Sequence, residues 1–397
     1  MTSAGSASAP RQWPVVSALG VVMIFTWGST YYLMAVLAKP IAADTGWGLG
    51  GVTGALSAGL LTAGLASPTI GSRIARHGGR PVLAFGCGLI ALGLTIIAAA
   101  QALWIFWAGW FVLGLGMAAG LYDPAFSTLG RIYGRDARRA ITLLTLWGGF
   151  ASTVCWPLSA AMLEAWGWRG TALGYAAIHV LVTAPLVVFA IPNARVESAA
   201  GTRPPPGAMR FAPTERLSFA LIVAMLVLHG LVVVNISVWL FAVLQAQGYS
   251  LSVAVTIGTL LGPAQVAARI LELANRERHH PMWTLSGAML LVAVALIVLA
   301  LDVGLAALAI ILFGAGNGLF SIARGSLPLA LFGEDRYATI IGRLGRPWMI
   351  AQAAAPTLGA LLIASLGTEA TLVTVAILAV LNIGLLFALW RATARLR

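Results

Sequence analysis

The chain alternates between long apolar runs and short polar turns. A helix needs about 20 apolar residues to cross a bilayer, and twelve runs of that kind can be placed. They occupy 14–38, 51–72, 82–101, 103–122, 140–162, 170–191, 217–244, 251–271, 283–301, 304–322, 345–366 and 369–390. The pattern predicts an all-α membrane protein with twelve transmembrane helices. Composition agrees, because 60% of the residues are hydrophobic and 9% are charged, against about 25% charged in a soluble domain.

A glycine pattern in the fourth apolar run returns half a chain later. Gly114 and Gly116 recur as Gly314 and Gly316, 200 positions further on. Parallel repeats of this size within an apolar chain are a recurring plan of secondary transporters, whose substrate site lies where the halves meet. We therefore expect two pseudo-symmetric six-helix bundles.

The repeat and the polar intervals divide the chain into five parts. The interval between the halves contains NARVESAAGTRPPPGAMRFAPTER, a proline-rich polar stretch that favours an unpacked linker. The expected parts are a tail (1–13), an N-terminal bundle (14–191), a cytoplasmic linker (192–216), a C-terminal bundle (217–390) and a second tail (391–397).

Basic residues predict the orientation, because positive charge is retained on the cytoplasmic side during insertion. Of 24 lysines and arginines, only Lys39 and Arg169 fall in predicted outer loops, which leaves 24 − 2 = 22 on the inner side. We expect a multi-pass protein of the cell (inner) membrane with both termini in the cytoplasm. The net charge of +12 is then a topology signal with membrane lipids as its partners, and it does not indicate nucleic-acid binding.

No metal site or cofactor is expected. Cys87 and Cys155 lie in different apolar runs and have no metal-ligand spacing. The glycines from Gly114 to Gly120 resemble a dinucleotide fingerprint, but that motif requires a preceding strand. Here the glycines lie inside an apolar span, where they allow helices to approach closely.

The turn between the second and third spans is rich in glycine and arginine. It contains Gly71, Arg76, Gly78 and Arg80 and resembles the signature loop of the major facilitator superfamily. Ala75 occupies the place at which that loop carries an acid.

Three further motifs resemble the monocarboxylate-porter-like branch of the same superfamily. They are DPAFSTLGRIY at 123–133, WGWRG at 166–170 and GW at 46–47. The resemblance implies the twelve-helix fold of that superfamily and a small-molecule substrate. It also implies that the first, fourth, seventh and tenth helices line a central cavity.

Polar and aromatic residues in those cavity-lining helices are the first substrate-binding candidates, because polar groups inside a membrane are costly and often functional. These candidates are Tyr31, Tyr32, His229, Asn235, Trp239 and Asn317. For His229, a role in packing is an equally open alternative.

The eighth span carries a second set of candidates. Gln265 and Arg269 are four residues apart and so share one helix face, while Glu272 is placed to hold the guanidinium or to compete with a ligand for it. Monocarboxylate porters carry an acid-x-x-x-arginine pair in this helix, and this chain has glutamine for the acid. A lysine that the family carries in its first helix would fall at Tyr32.

A third set concerns coupling and gating. Position 123 plus 200 falls at 323, so Asp123 lies opposite Arg324 in the repeat, and a pair between them is predicted to latch the inner mouth. Protonating the acid would release that latch. The alternatives are that Asp123 only ends the fourth helix and neutralises Arg131 or Arg135, that Arg324 extends to the interface, and that His229 carries the proton.

These observations predict a secondary active transporter that works by alternating access, and no catalytic constellation indicates an enzyme. Available arginines favour a small, monocarboxylate-like organic anion as the substrate. Protons are the candidate coupling ion, in a symporter or an antiporter. Export of drugs or of metalloids such as arsenicals is the alternative, and a non-transporting membrane sensor is the second. A monomer is expected.

Overall fold

The computed structural model describes residues 12–133, 137–192, 213–274, 279–332 and 334–394. Most of the expected tails and linker lies outside these ranges, so the five-part division stays a prediction. The described residues form helices and turns without a strand. The helices are α1 (Gln12–Ser29), α2 (Leu33–Thr45), α3 (Leu49–His77), α4 (Gly79–Ala99), α5 (Leu103–Gly120), α6 (Tyr122–Tyr133), α7 (Ala137–Gly149), α8 (Ala151–Ile178), a π-helical turn (His179–Thr183), α9 (Ala184–Ala190), α10 (Pro213–Ala246), α11 (Leu251–Thr259), α12 (Leu261–Ala274), α13 (Pro281–Ala300), α14 (Ala306–Phe332) and α15 (Glu334–Ala394).

The described residues contain ten helical stretches that are long and apolar enough to cross a membrane. Two of them, Arg139–Ala190 and Arg343–Thr393, are 52 and 51 residues long, about twice what one crossing needs. Each is interrupted by a glycine with positive φ, Gly167 at 68° and Gly367 at 85°. Counting each as two crossings gives 10 + 2 = 12, which agrees with the predicted twelve spans.

The glycine repeat has the same packing role in both halves. A Cβ added at Gly114 would collide with the carbonyl of Gly59, and one added at Gly314 would lie 2.6 Å from the carbonyl of Leu261. The fourth span thus packs backbone to backbone on the second, and the tenth packs in the same way on the eighth.

The second glycine of each pair repeats the pattern toward a different neighbour. A Cβ at Gly116 would lie 2.9 Å from the amide nitrogen of Ile90, and one at Gly316 would lie 3.0 Å from that of Val292. Small residues allow such close approach where no hydrophobic effect drives helices together. The duplication predicted from the sequence is therefore present in the packing.

Side-chain hydrogen bonds join the two halves along the first, second and fifth spans. They link Ser57 Oγ to Thr357 Oγ1 at 2.8 Å, Thr153 Oγ1 to the Thr259 carbonyl at 3.0 Å, Lys39 Nζ to Gln245 Oε1 at 3.2 Å and Arg269 Nη1 to the Thr145 carbonyl at 2.7 Å.

The helices of four spans are broken. The breaks separate α1 from α2 at 30–32, α5 from α6 at Leu121, α7 from α8 at Phe150 and α11 from α12 at Leu260. Irregular backbone at membrane depth is tolerated where protein buries it or where it lines a cavity. Discontinuous helices of this kind form the binding sites of many transporters.

Candidate functional site at the interface of the halves

A buried arginine lies where the broken helices meet. Arg269 of α12 is 9% exposed. Its Nη1 donates to the Thr145 carbonyl of the other half at 2.7 Å, and its Nη2 donates to Gln265 Oε1 at 3.4 Å. Its Nε is buried without a hydrogen-bond partner in the structure. The predicted pairing of Gln265 with Arg269 along one helix face is therefore present.

No carboxylate among the described side chains forms an ion pair with Arg269. Glu272, three residues further on, instead accepts a 2.6 Å hydrogen bond from Thr284 and lies 3.2 Å from His279 Nε2. Glu272 is thus engaged with Thr284 and His279 and not with the guanidinium. An uncompensated buried charge costs several kcal/mol, so this arginine is energetically expensive until an anion reaches it.

Two consecutive glycines of the fifth span make room for this arrangement. The Tyr122 hydroxyl lies directly over Gly148 and forms a hydrogen bond with Arg269. A Cβ added at Gly149 would lie 2.7 Å from Val266 and 3.6 Å from Arg269 Nη1. Any larger residue in this pair would separate the fifth span from the fourth or the eighth.

Aromatic rings of the N-terminal half surround the guanidinium. Tyr32 and Tyr122 both interact electrostatically with Arg269. The ring of Trp27 lies 5.3 Å from Tyr122, and that of Trp156 lies 5.4 Å from Tyr32. The Trp156 indole N–H also donates to the Tyr32 carbonyl at 3.3 Å, which stabilises the broken first span.

Tyr31 and Tyr32 are adjacent in sequence but contact different elements. Tyr31 is 6% exposed and forms a hydrogen bond with Ser237 of the seventh span. Tyr32, in contrast, is half-buried and faces Arg269 of the eighth. Both tyrosines therefore bridge the halves, as expected for residues that line a central site.

His229 belongs to a separate cluster inside the C-terminal half. Its ring stacks on Phe320 at 3.5 Å, with Trp348 at 6.2 Å, and its side chain pairs with Asn317. Its Nε2 is buried without a partner in the structure. Arg324 lies 4.8 Å above the Trp348 ring, so the structure brings the predicted residues of the seventh and tenth spans together.

Asn235 and Trp239 lie against the eleventh span. The Asn235 amide donates to the Leu231 carbonyl at 2.9 Å. Its Oδ1 and the Trp239 Nε1 are buried without hydrogen-bond partners, and both lie against Gly359. These two candidates thus contact a different helix from Arg269, and Trp239 also lines a cavity between the halves with Met34 and Lys39 of the first span.

The proposed latch is open in this structure. Asp123 is exposed in the first turn of α6, and it does not pair with Arg324, whose guanidinium lies over Trp348. The Nε of Arg131 is buried and lacks a hydrogen bond, while Arg135 lies outside the described residues. The latch therefore stays a prediction about another conformation.

The signature loop forms the tight turn that its glycines predict. Gly78 has a φ of 85°, a left-handed value that favours glycine, and its amide donates to the Ile74 carbonyl at 2.9 Å. The turn joins α3 to α4 directly. Arg76 lies in the last turn of α3 and Arg80 in the first turn of α4, whereas Gly71 faces open space.

Several residues at the site were missed from the sequence. Tyr122 was overlooked beside Asp123, and Thr145 contributes only its backbone carbonyl, which carries no sequence signal. The Gly148-Gly149 pair in the middle of an apolar span was the signal available, since adjacent glycines there indicate close approach of neighbouring helices.

A duplicated bundle of membrane-spanning helices with an uncompensated cation between its halves defines a membrane transport protein rather than an enzyme. The chain belongs to the Major Facilitator Superfamily, whose family model matches residues 19–345.

The curated relatives include monocarboxylate transporter 11 of Mus musculus and of Homo sapiens, each 32% identical over 148 residues. Those matches cover 36% of this chain and 30% and 29% of the two relatives, so the chain matches less than a third of their length. The similarity supports kinship with that branch over the matched segment.

Solved structures share the whole architecture. The human organic anion transporter MFSD10 (TETRAN) has a TM-score of 0.65 and 18% identity, covering 95% of this chain and 100% of that one. A bacterial homologue of the human lysosomal transporter Spinster, inward-facing and occupied, has a TM-score of 0.74 and 14% identity, with 98% of each chain covered. At these identities the likeness establishes the fold alone.

Proposed function

We propose that this protein is a secondary active transporter that moves a small, monocarboxylate-like organic anion across the cytoplasmic membrane by alternating access. The observation that carries the proposal is Arg269, buried at the interface of the halves without a carboxylate partner among the described side chains. Kinship with monocarboxylate transporter 11 over part of the chain supports the same class of cargo.

The guanidinium retains the donors that a carboxylate needs. Its Nε has no partner, and its Nη2 makes a long 3.4 Å bond to Gln265. A carboxylate can accept two parallel hydrogen bonds from such a fork, with Gln265 displaced to the side. Binding would replace a long hydrogen bond to a neutral amide by an ion pair with a carboxylate and neutralise the buried cation.

The contact between Arg269 and Thr145 suggests how binding is linked to movement. Arg269 belongs to the C-terminal half and the Thr145 carbonyl to the N-terminal half, so rocking of the halves changes the surroundings of the guanidinium. A bound anion lowers the cost of enclosing that charge between the halves. Loaded and empty carriers would therefore differ in how readily they change conformation.

The coupling ion and the orientation belong to the same proposal. Protonation of Asp123 or His229 is proposed to drive accumulation, and the even number of spans with an inner excess of arginine supports two cytoplasmic termini. Small polar cations and drugs would need a buried acid in the site, whereas Asp123 is exposed. The carrier is proposed to act as a monomer.

Flux into proteoliposomes tests the function directly. Purified protein would first be heated with carboxylates, cationic drugs and arsenicals, because a ligand of the native state raises its apparent stability. The strongest stabiliser would then be assayed by counterflow. Carboxylate uptake by the parent and not by empty liposomes is expected. Stabilisation by drugs or arsenicals alone would contradict the anion, and binding without flux would indicate a sensor.

A further inference from the structure

The non-polar wall beside Arg269 is built from aromatic rings. Tyr32 and Tyr122 both interact with the guanidinium, and Trp27 lies between them, at 6.3 Å from Tyr32 and 5.3 Å from Tyr122. Three rings from the first and fourth spans therefore meet beside the one buried cation of this interface among the described side chains.

These rings remain accessible, although they lie in the middle of the protein. Tyr32, Tyr122 and Trp27 are each only partly buried, whereas the rings behind them, such as Tyr31 and Trp156, are 6% and 0% exposed. Because Tyr32 and Tyr122 both interact with an arginine of the opposite half, these two rings lie at the interface of the halves.

The local backbone holds the rings in place before any ligand arrives. Tyr32 lies in the break of the first span, and Tyr122 follows the break at Leu121 in the fourth. The Tyr122 ring is also stacked on Phe126, with centroids 5.0 Å apart and planes within 15°. Rings held in this way are ordered without cost at the moment of binding.

Packing alone does not account for Tyr32. Tyrosine hydroxyls that are buried in this protein have partners, as Tyr31 has Ser237 and Tyr175 has Ser159 at 2.7 Å. The Tyr32 hydroxyl makes no hydrogen bond with any described residue. A hydroxyl without a protein partner beside an uncompensated guanidinium is available to contact a ligand.

We propose that the transported anion carries an aromatic ring. This inference rests on the proposed anion transport and specifies its substrate: the carboxylate binds Arg269, and the ring packs against Tyr32, Tyr122 and Trp27. Aromatic rings prefer offset-stacked or edge-to-face contacts with one another. A short aliphatic acid would satisfy the arginine without adding an aromatic contact to those three rings.

Three carboxylates used as test ligands separate the contribution of the aromatic ring to binding from that of the charge. Benzoate and cyclohexanecarboxylate have the same carbon count and charge but differ in aromaticity, and lactate lacks a ring. Isothermal titration of the purified parent protein with each gives three dissociation constants. Benzoate is expected to bind about tenfold more tightly than cyclohexanecarboxylate, the effect of one to two aromatic contacts, and more tightly still than lactate.

Matched variants assign that preference to the rings. Tyr32→Leu and Tyr122→Leu are expected to bring the ratio of the two six-membered-ring acids toward one, while Tyr32→Phe and Tyr122→Phe keep it. Tyr249→Leu, which precedes α11 outside the cluster, is the control that leaves it unchanged. If a leucine variant fails to fold, the ratio of the two dissociation constants measured for the parent protein decides the test.

The outcomes distinguish this inference from the function on which it rests. Equal affinity of the parent for benzoate and cyclohexanecarboxylate, or a preference that survives both leucine variants, overturns the aromatic substrate and leaves anion transport standing. Failure of all three acids to bind overturns the proposed transport of carboxylates itself, and the aromatic substrate with it.

Discussion

Arg269 Nη1 donates a 2.7 Å hydrogen bond to the carbonyl of Thr145 and thereby joins the two halves of the protein at a buried cation. A protein hydrogen bond to a charged group is worth about 1.5 to 3 kcal/mol. That contact holds the halves together only while no better acceptor reaches the guanidinium. An anion that enters the site competes with it, which links occupancy of the site to the relative position of the halves.

The glycine repeat makes a prediction about stability. Gly114→Leu and Gly314→Leu each place a side chain against a neighbouring backbone, and overpacking of this kind costs about 1 to 3 kcal/mol. Both variants should lower the thermal midpoint of the detergent-purified protein by similar amounts. Gly130→Leu, which faces open space, is the control, and an equal loss in the control would contradict the packing role.

The contact of Tyr122 with Gly148 can be tested by a double-mutant cycle. Gly148→Ala pushes the Tyr122 ring away and should lower stability by about 1 to 3 kcal/mol. In a Tyr122→Leu background the same change should cost little, because the obstructing ring is absent. Thermal midpoints of the four proteins measure this coupling, and an equal cost in both backgrounds would remove the contact from the account.

Proton coupling is tested by Asp123→Asn. The variant keeps the shape of the side chain and removes its titratable group, so a latch with Arg324 should lose gradient-driven accumulation while retaining substrate exchange. Uptake into proteoliposomes with and without a pH gradient measures both activities. If accumulation and its pH dependence survive, Asp123 is structural, and His229→Gln becomes the decisive variant for the same assay.

The topology is tested by tags at two positions. One is inserted into the linker near Gly207 and the other follows the C-terminus, and both should be protected from impermeant reagents in intact cells. A tag in the loop near Gly248, at the opposite end of the seventh span from the linker, is the accessible control. Labelling of either cytoplasmic tag from outside would refute the twelve-span arrangement.

Much of the fold could be predicted from local patterns. Apolar runs predict the spans because each must cover its own backbone in lipid, and the recurrence of Gly114 as Gly314 predicts two equivalent halves. The two glycines that divide the longest helices, Gly167 and Gly367, also follow apolar runs of one crossing each. The apolar runs depend on neighbours in sequence, and the repeat can be seen by comparing one half of the chain with the other.

The site could be predicted only in part. The four-residue spacing predicted that Gln265 and Arg269 share a helix face, because helical geometry is local. The roles of Tyr122 and the Thr145 carbonyl depend on helix breaks and on contacts between halves more than 120 residues apart, which no local pattern encodes. For His229, cavity lining and packing both stay predictions, and its ring is stacked on Phe320 of the tenth span in this structure.

The central claim is that Arg269 binds the transported anion through its planar fork. The direct measurement is isothermal titration of Arg269→Lys with the carboxylate that stabilises the parent most, beside Arg169→Lys as a control. Arg169 pairs with Asp44 at 2.7 Å in the N-terminal half. Lysine keeps the charge but loses the two parallel hydrogen bonds, so affinity should fall roughly 10- to 150-fold in Arg269→Lys and remain unchanged in the control. Parent-like affinity in Arg269→Lys would contradict the claim.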